Sequence, residues 1–113
     1  ERGTTFGYGR LVNDFLGLGD LMELRAEGGP PPVCFDATHS TQLPGAGETT
    51  GGRPERANLL ARAAVASGVH AVFIETHPEP AAALSDASTM MTLTEATGLM
   101  PVLARLRAAL VGR

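Results

Sequence analysis

Lysine and tryptophan are absent from this chain, and cysteine occurs once. All nine cations are therefore arginines, set against twelve Asp and Glu for a formal net charge of −3. That balance offers no concentrated positive patch of the kind nucleic acid or an anionic membrane requires, so neither partner is expected. A single cysteine, Cys34, rules out an internal disulfide and fits a reducing cytoplasm. It lies between Val33 and Phe35 in an apolar run, so its thiol reads as a buried small hydrophobe rather than a nucleophile. Aromatic residues make up only 4% of the chain, so a core must come from Ala, Leu and Val, which suits helices packed on strands. No apolar run approaches the ~20 residues of a membrane-spanning helix. What is present, 43% hydrophobic residues in 113, is enough to fill one domain. The chain opens on Glu1-Arg2-Gly3-Thr4 rather than Met, and the expectation is a piece of a larger protein.

Periodicity predicts alternating helices and strands. Residues 1–13 are rich in Gly and Thr and read as a loop or strand end. A helix is expected over 15–26, weakened at its start by Gly17 and Gly19 and stopped by Gly28-Gly29-Pro30-Pro31-Pro32. Residues 33–37 form a short buried strand, and the polar, glycine-rich stretch 44–52 forms a mobile loop. Pro54 and Glu55 then open a helix packed through Leu59, Leu60, Ala63 and Ala64 and ended by Gly68. A continuous apolar strand over 69–75 has the pattern of one covered on both faces. A helical turn over 80–85 and a helix over 94–111 follow. In the latter Thr94 is the N-cap, Leu99, Leu103, Leu106 and Leu110 form the apolar stripe, and Pro101 predicts a kink or a late start. The alternation points to an α/β fold with a parallel sheet. Two strands do not make a stable sheet alone.

Both strands end abruptly in residues able to bind metal or move protons: Phe35-Asp36-Ala37-Thr38-His39-Ser40 and Ile74-Glu75-Thr76-His77-Pro78. Leu84-Ser85-Asp86 adds a carboxylate just beyond the second. Packing residues inside a strand and chemistry at its C-terminal end is how barrel strands look at an active site. One imidazole and two carboxylates, His39, Glu75 and Asp86, are a mixed N/O set suited to a divalent ion such as Zn, Mn, Fe or Co. Each alone reads equally well as a helix cap or as the partner of a buried backbone group; three together at strand ends point to a metal. Asp36 hydrogen-bonds either loop amides or substrate hydroxyls. Arg2 reads as a solvated arginine or as a clamp for phosphate or carboxylate. His70 reads as a surface or partly satisfied residue, and His77 shapes a turn. The segment from Gly47 to Arg53 lacks the spacing and the lysine of a phosphate-binding loop, so a lid over a site is the better reading.

Six blocks, ERGTTFGY (1–8), FDATHSTQLPG (35–45), GG (51–52), LARAAVASGV (60–69), FIETHPEP (73–80) and ALSDAST (83–89), resemble 3-deoxy-D-manno-octulosonate 8-phosphate synthase. The resemblance implies that residues 1–113 are the C-terminal portion of a single (β/α)8 TIM-barrel domain, from the end of strand 6 through helix 8. It implies a cytoplasmic homotetramer that condenses phosphoenolpyruvate with D-arabinose 5-phosphate for lipopolysaccharide synthesis, releasing phosphate. By the same resemblance His39, Glu75 and Asp86 are metal ligands, with His39 and Asp86 serving catalysis. Arg2 and Gln42 are substrate-binding, and 44–52 is a lid. Ser85-Asp86-Ala87 looks like the metal-dependent branch.

Arg10, Pro54, Pro101 and the slightly short lid depart from that pattern. The first-strand Cys or Asn, the lysines for phosphoenolpyruvate and the pentose-phosphate loop are expected upstream, so no synthase activity is expected of these 113 residues alone. The alternatives are a related heptulosonate phosphate or sialic acid synthase, or an inactive fragment with only metal-binding or assembly roles.

Overall fold

The computed structural model describes residues 4–5, 9–44, 51–84 and 87–111. In chain order the elements are β1 (Thr4–Thr5), β2 (Leu11–Val12), α1 (Phe15–Met22), β3 (Cys34–Asp36), β4 (Gln42–Leu43), β5 (Gly51–Gly52), α2 (Ala57–Ser67), β6 (Ala71–Phe73), β7 (Thr76–His77), β8 (Met91–Thr92) and α3 (Leu93–Val111). Short 3-10 turns occupy His39–Thr41, Pro54–Arg56 and Pro80–Ala82. The expected alternation is present as α1–β3–α2–β6–α3, and β3 pairs with β6 in parallel.

Local chemistry sets the helix ends. Asp14 caps α1, its Oδ1 accepting from the amides of Leu16 and Gly17, both at 3.1 Å. The helix stops at Met22 rather than 26: only Leu18 is buried in it, and Leu24 beyond it is exposed, so burial does not favour another turn. Gly68 ends α2 in the left-handed conformation, φ 104°, that glycine adopts without a Cβ penalty. Glu55, ahead of α2, is held below the usual carboxylate range by a backbone hydrogen bond and then by Arg53, whose Nε donates to it at 3.0 Å. Protonation removes that support as pH falls through the lowered value. The buried face of α2 is Ala57, Ala61, Ala64 and Val65; Leu59 is exposed, so the helix is rotated from the face expected of it. In α3 the cap is Thr92, not Thr94. Its Oγ1 accepts from the Glu95 amide at 3.1 Å while Glu95 Oε2 accepts from the Thr92 amide at 3.3 Å. That reciprocal capping box starts the helix at Leu93. Pro101 lies inside α3 without ending it.

The register Cys34↔Ala71, Phe35↔Val72, Asp36↔Phe73 gives the β3–β6 pair two unlike faces. Val33, Phe35 and Ala37 point into the helices, where Phe35 is 1% exposed and Val72 and Ile74 pack beside it. Leu18, Ala57, Ala61, Ala64, Val69, Met91, Ala96 and Leu99 complete that core. The opposite face carries Cys34, Asp36, Ala71 and Phe73. Cys34, Ala71 and Phe73 are exposed, so β6 is covered by the described chain on one face only, and Cys34 is not a buried hydrophobe. Period-2 alternation puts the thiol on the sheet face away from Phe35.

Three further pairs lie outside the expected pattern. β1 and β2 are antiparallel, β4 and β5 are antiparallel, and β7 and β8 are parallel through Thr76↔Met91 and His77↔Thr92. Part of the glycine-rich stretch is thus paired strand; 45–50 lie outside the described residues. Among the described residues no helix is long and apolar enough to cross a membrane.

Among the described glycines, Gly52 leaves the least room for a side chain. A methyl there would overlap the Ser88 carbonyl oxygen and the Thr89 side chain. Gly52→Ala is therefore expected to lower unfolding free energy by about 1–3 kcal/mol, measured by denaturant titration. An unchanged midpoint would mean that the contact between β5 and 88–89 is not made in solution.

Candidate functional site

The parallel pairing sets the C-terminal ends of β3 and β6 side by side, and the chain that leaves β3 is folded by its own side chains. Asp36 Oδ1 accepts from the amides of Thr38 (3.0 Å) and His39 (2.9 Å), so an Asx-type turn brings residue 39 back over residue 36. Asp36 Oδ2 lies 2.7 Å from His39 Nδ1. A carboxylate only accepts, so Nδ1–H donates and Nε2 is the nitrogen turned away from Asp36. Phe73, the register partner of Asp36, stacks beside the imidazole with ring centroids 5.9 Å apart. The ring is thus fixed by a hydrogen bond at one nitrogen and by an aromatic wall.

Glu75 meets it from the other strand. Thr38, 1% exposed, accepts the Glu75 amide on its Oγ1 at 2.7 Å, tying the end of β6 to the turn after β3. Thr41 Oγ1 in turn donates to the Thr38 carbonyl at 2.8 Å. Glu75 Oε1 then stands 3.5 Å from His39 Nε2, both side chains about one-quarter exposed or less, at 20% and 26%. That spacing matches two ligands of one cation: metal bonds of ~2.0–2.2 Å at a tetrahedral angle put neighbouring donor atoms ~3.4 Å apart. The donor chemistry, imidazole nitrogen and carboxylate oxygen, suits the same ions.

The structure therefore brings His39 and Glu75 together as the sequence implies. Asp86, the third expected ligand, and Arg2, the expected substrate clamp, lie outside the described residues. Among the described residues no group of three His, Cys, Asp or Glu is placed to hold a metal; Asp36 faces Nδ1, the nitrogen away from Glu75. Gln42 sits in β4 and lines a cavity of about 350 Å3 with Arg10, Asn13, Ser40, Arg53 and Arg56. Neither His39 nor Glu75 is among that cavity's lining residues. His70 Nδ1 accepts from the Val33 amide at 2.9 Å, tying the starts of β3 and β6 together, and His77 Nδ1 accepts from the Glu79 amide at 2.9 Å, shaping a turn.

Asp36 and Thr38 are the residues whose roles sequence reasoning left open or missed. The spacing Asp-x-Thr-His was the available signal, since Asp hydrogen-bonds amides two and three positions on. Thr38→Val is close in shape but leaves the Glu75 amide without its acceptor, at a cost of about 1–3 kcal/mol. Thr38→Ser is expected to recover most of it. Equal unfolding free energies for the Val and Ser variants would remove the hydroxyl from this role.

Comparison with known proteins places these residues in a lineage. Residues 1–111 match the DAHP synthetase I family. Over 104 residues the chain is 50% identical to a 2-dehydro-3-deoxyphosphooctonate aldolase of Methylobacillus flagellatus, covering 91% of this chain and 36% of that protein. Over 107 residues it is 48% identical to the protein of the same name from Polaromonas naphthalenivorans, covering 94% and 36%. The chain thus spans about a third of the length of these relatives. Among solved structures, the phospho-2-dehydro-3-deoxyheptonate aldolase of Thermotoga maritima matches with a TM-score of 0.77 and 30% identity, over 97% of this chain and 29% of that one. A truncated form of the Thermotoga maritima enzyme matches equally well, over 37% of its length. With nearly every residue inside the family match, this chain belongs to the DAHP synthetase I family.

Proposed function

We propose that residues 1–113 are the C-terminal part of a (β/α)8 barrel that condenses phosphoenolpyruvate with D-arabinose 5-phosphate and water. The products are 3-deoxy-D-manno-octulosonate 8-phosphate and phosphate, for the inner core of lipopolysaccharide. The observation that carries this reading is the meeting of His39 and Glu75 at the ends of two paired parallel strands, 3.5 Å apart. Chemistry at the C-terminal ends of parallel strands is the rule for barrel enzymes. Identity near one half to octonate-named relatives, against 30% to the heptonate-named enzyme, favours the eight-carbon product over the seven-carbon one.

In this reading His39 Nε2, Glu75 and Asp86 hold a divalent ion. When bound, the ion supplies Lewis acidity, polarising the aldehyde oxygen or activating the attacking water. Carbon 3 of the enol phosphate forms a bond to the aldehyde carbon, water adds at carbon 2, and the carbon 2–phosphate oxygen bond breaks to release phosphate. Arg2 offsets negative charge on phosphoenolpyruvate, and Gln42 contributes to substrate binding. Phe73 walls one face of the imidazole. The assembled protein works in the cytoplasm as a homotetramer.

Phosphate release from phosphoenolpyruvate in the complete barrel tests the reading. Turnover is expected with arabinose 5-phosphate; turnover only with a four-carbon aldose phosphate, as a seven-carbon product requires, would replace it. His39→Ala and Glu75→Ala are each expected to cut bound metal and turnover by at least the ~10–100-fold that loss of an outer partner costs, with circular dichroism unchanged. Full metal content and full turnover in either variant would take that residue out of the ligand set.

A further inference from the structure

We infer that Asp36 is a positioning residue: it selects the imidazole tautomer of His39 that leaves Nε2 able to bind a metal. The inference rests on the proposal that His39 is a metal ligand. Its two carboxylate oxygens have separate tasks. Oδ1 is taken up by the Thr38 and His39 amides at 3.0 and 2.9 Å and builds the turn. Oδ2 is directed at His39 Nδ1 at 2.7 Å, the length of a charge-assisted bond. The turn needs only one of these oxygens, so a purely architectural role leaves the second contact without a purpose. Both side chains are at least three-quarters covered, at 20% and 23% exposure, which limits competition from water. Turning the ring over would carry Nδ1 away from Asp36 and put a carbon in its place. With the ring held, Nδ1–H donates and Nε2 is turned toward the side on which Glu75 Oε1 lies, 3.5 Å away. A metal-ligating histidine backed by a carboxylate at its other nitrogen is fixed in orientation and made more basic.

Asp36→Asn separates tautomer control from architecture. The amide oxygen still accepts from the two backbone amides, so the turn survives. The amide nitrogen now offers hydrogens to Nδ1, which stabilises the tautomer protonated at Nε2 and blocks that nitrogen. The measurement is the 15N-detected tautomeric state of His39 in the metal-free protein, above the pH range where imidazoles titrate. Zinc affinity is measured alongside by competition with a chromophoric chelator. Wild-type protein is expected to show His39 protonated at Nδ1. Asp36→Asn is expected to shift the proton to Nε2 and weaken zinc by about 10–100-fold, with an unchanged melting temperature. Asp36→Ala, which loses the turn as well, is expected to melt lower and show mixed tautomers. Wild-type His39 protonated at Nε2, or Asp36→Asn with wild-type tautomer and zinc affinity, overturns the inference. His39→Ala is measured in parallel. Zinc binding unchanged in that variant removes the metal reading, and the tautomer spectrum then decides the Asp36–His39 contact by itself.

Discussion

The parallel register between β3 and β6 is the constraint on which the rest of this structure depends. Pairing Asp36 with Phe73 puts a carboxylate and an aromatic ring side by side on one sheet face. The chain beyond each strand then emerges at the same end. His39 rests on both of those residues, and Glu75 arrives two positions after Phe73. A slip of one residue would turn Asp36 into the core and Phe35 out of it, since side chains alternate with period 2. Burial of Phe35 at 1% exposure, worth roughly 1.5–3 kcal/mol, therefore fixes the register of the site as well as the fold.

The two sheet faces divide the work. Helices α1, α2 and α3 cover the face built from Val33, Phe35, Ala37 and Val72, mostly with alanine and leucine in a chain that has few aromatics. The other face carries Cys34, Asp36, Ala71 and Phe73, and along it the ends of both strands lead to polar residues rather than to more core. Thr38 joins the two halves. It is buried, it belongs to the turn after β3, and its hydroxyl holds the backbone at the end of β6. One short motif thus orients an imidazole through Asp36 and a neighbouring strand through Thr38.

Several features were legible in the sequence because they depend on neighbours in the chain. Gly68 ends α2 because a left-handed residue is needed there, and glycine supplies it. The alternation of helices with short apolar runs gave the parallel pair. The rotation of α2 was only half legible: Ala64 and Leu60 pack as expected, but Leu59 and Leu60 look alike as hydrophobes, and only the position of the sheet decides that Ala61 faces inward and Leu59 outward. Cys34 was misread for a similar reason, because an apolar run does not state which of its alternate side chains meets the helices. The start of α3 was missed although Thr92 and Glu95 carry a capping-box spacing; Thr94 offers a competing hydroxyl, and only the reciprocal bonds discriminate between them.

By itself the amino-acid sequence determined which residues are able to do chemistry and that two short apolar runs give way to His39 and Glu75, although the strands proper, Cys34–Asp36 and Ala71–Phe73, are shorter than the runs 33–37 and 69–75. These are properties of residue type and local order, set by hydrophobic periodicity and by the backbone preferences of glycine and proline. Only the tertiary structure decided that the imidazole turns its Nδ1 toward Asp36, that Phe73 flanks it, and that Thr38 reaches across to the Glu75 amide. The first of these contacts spans only three residues, and its Asx turn was open to a local reading. The last two join residues 34 and 37 positions apart, and no local preference encodes a distance between two strands.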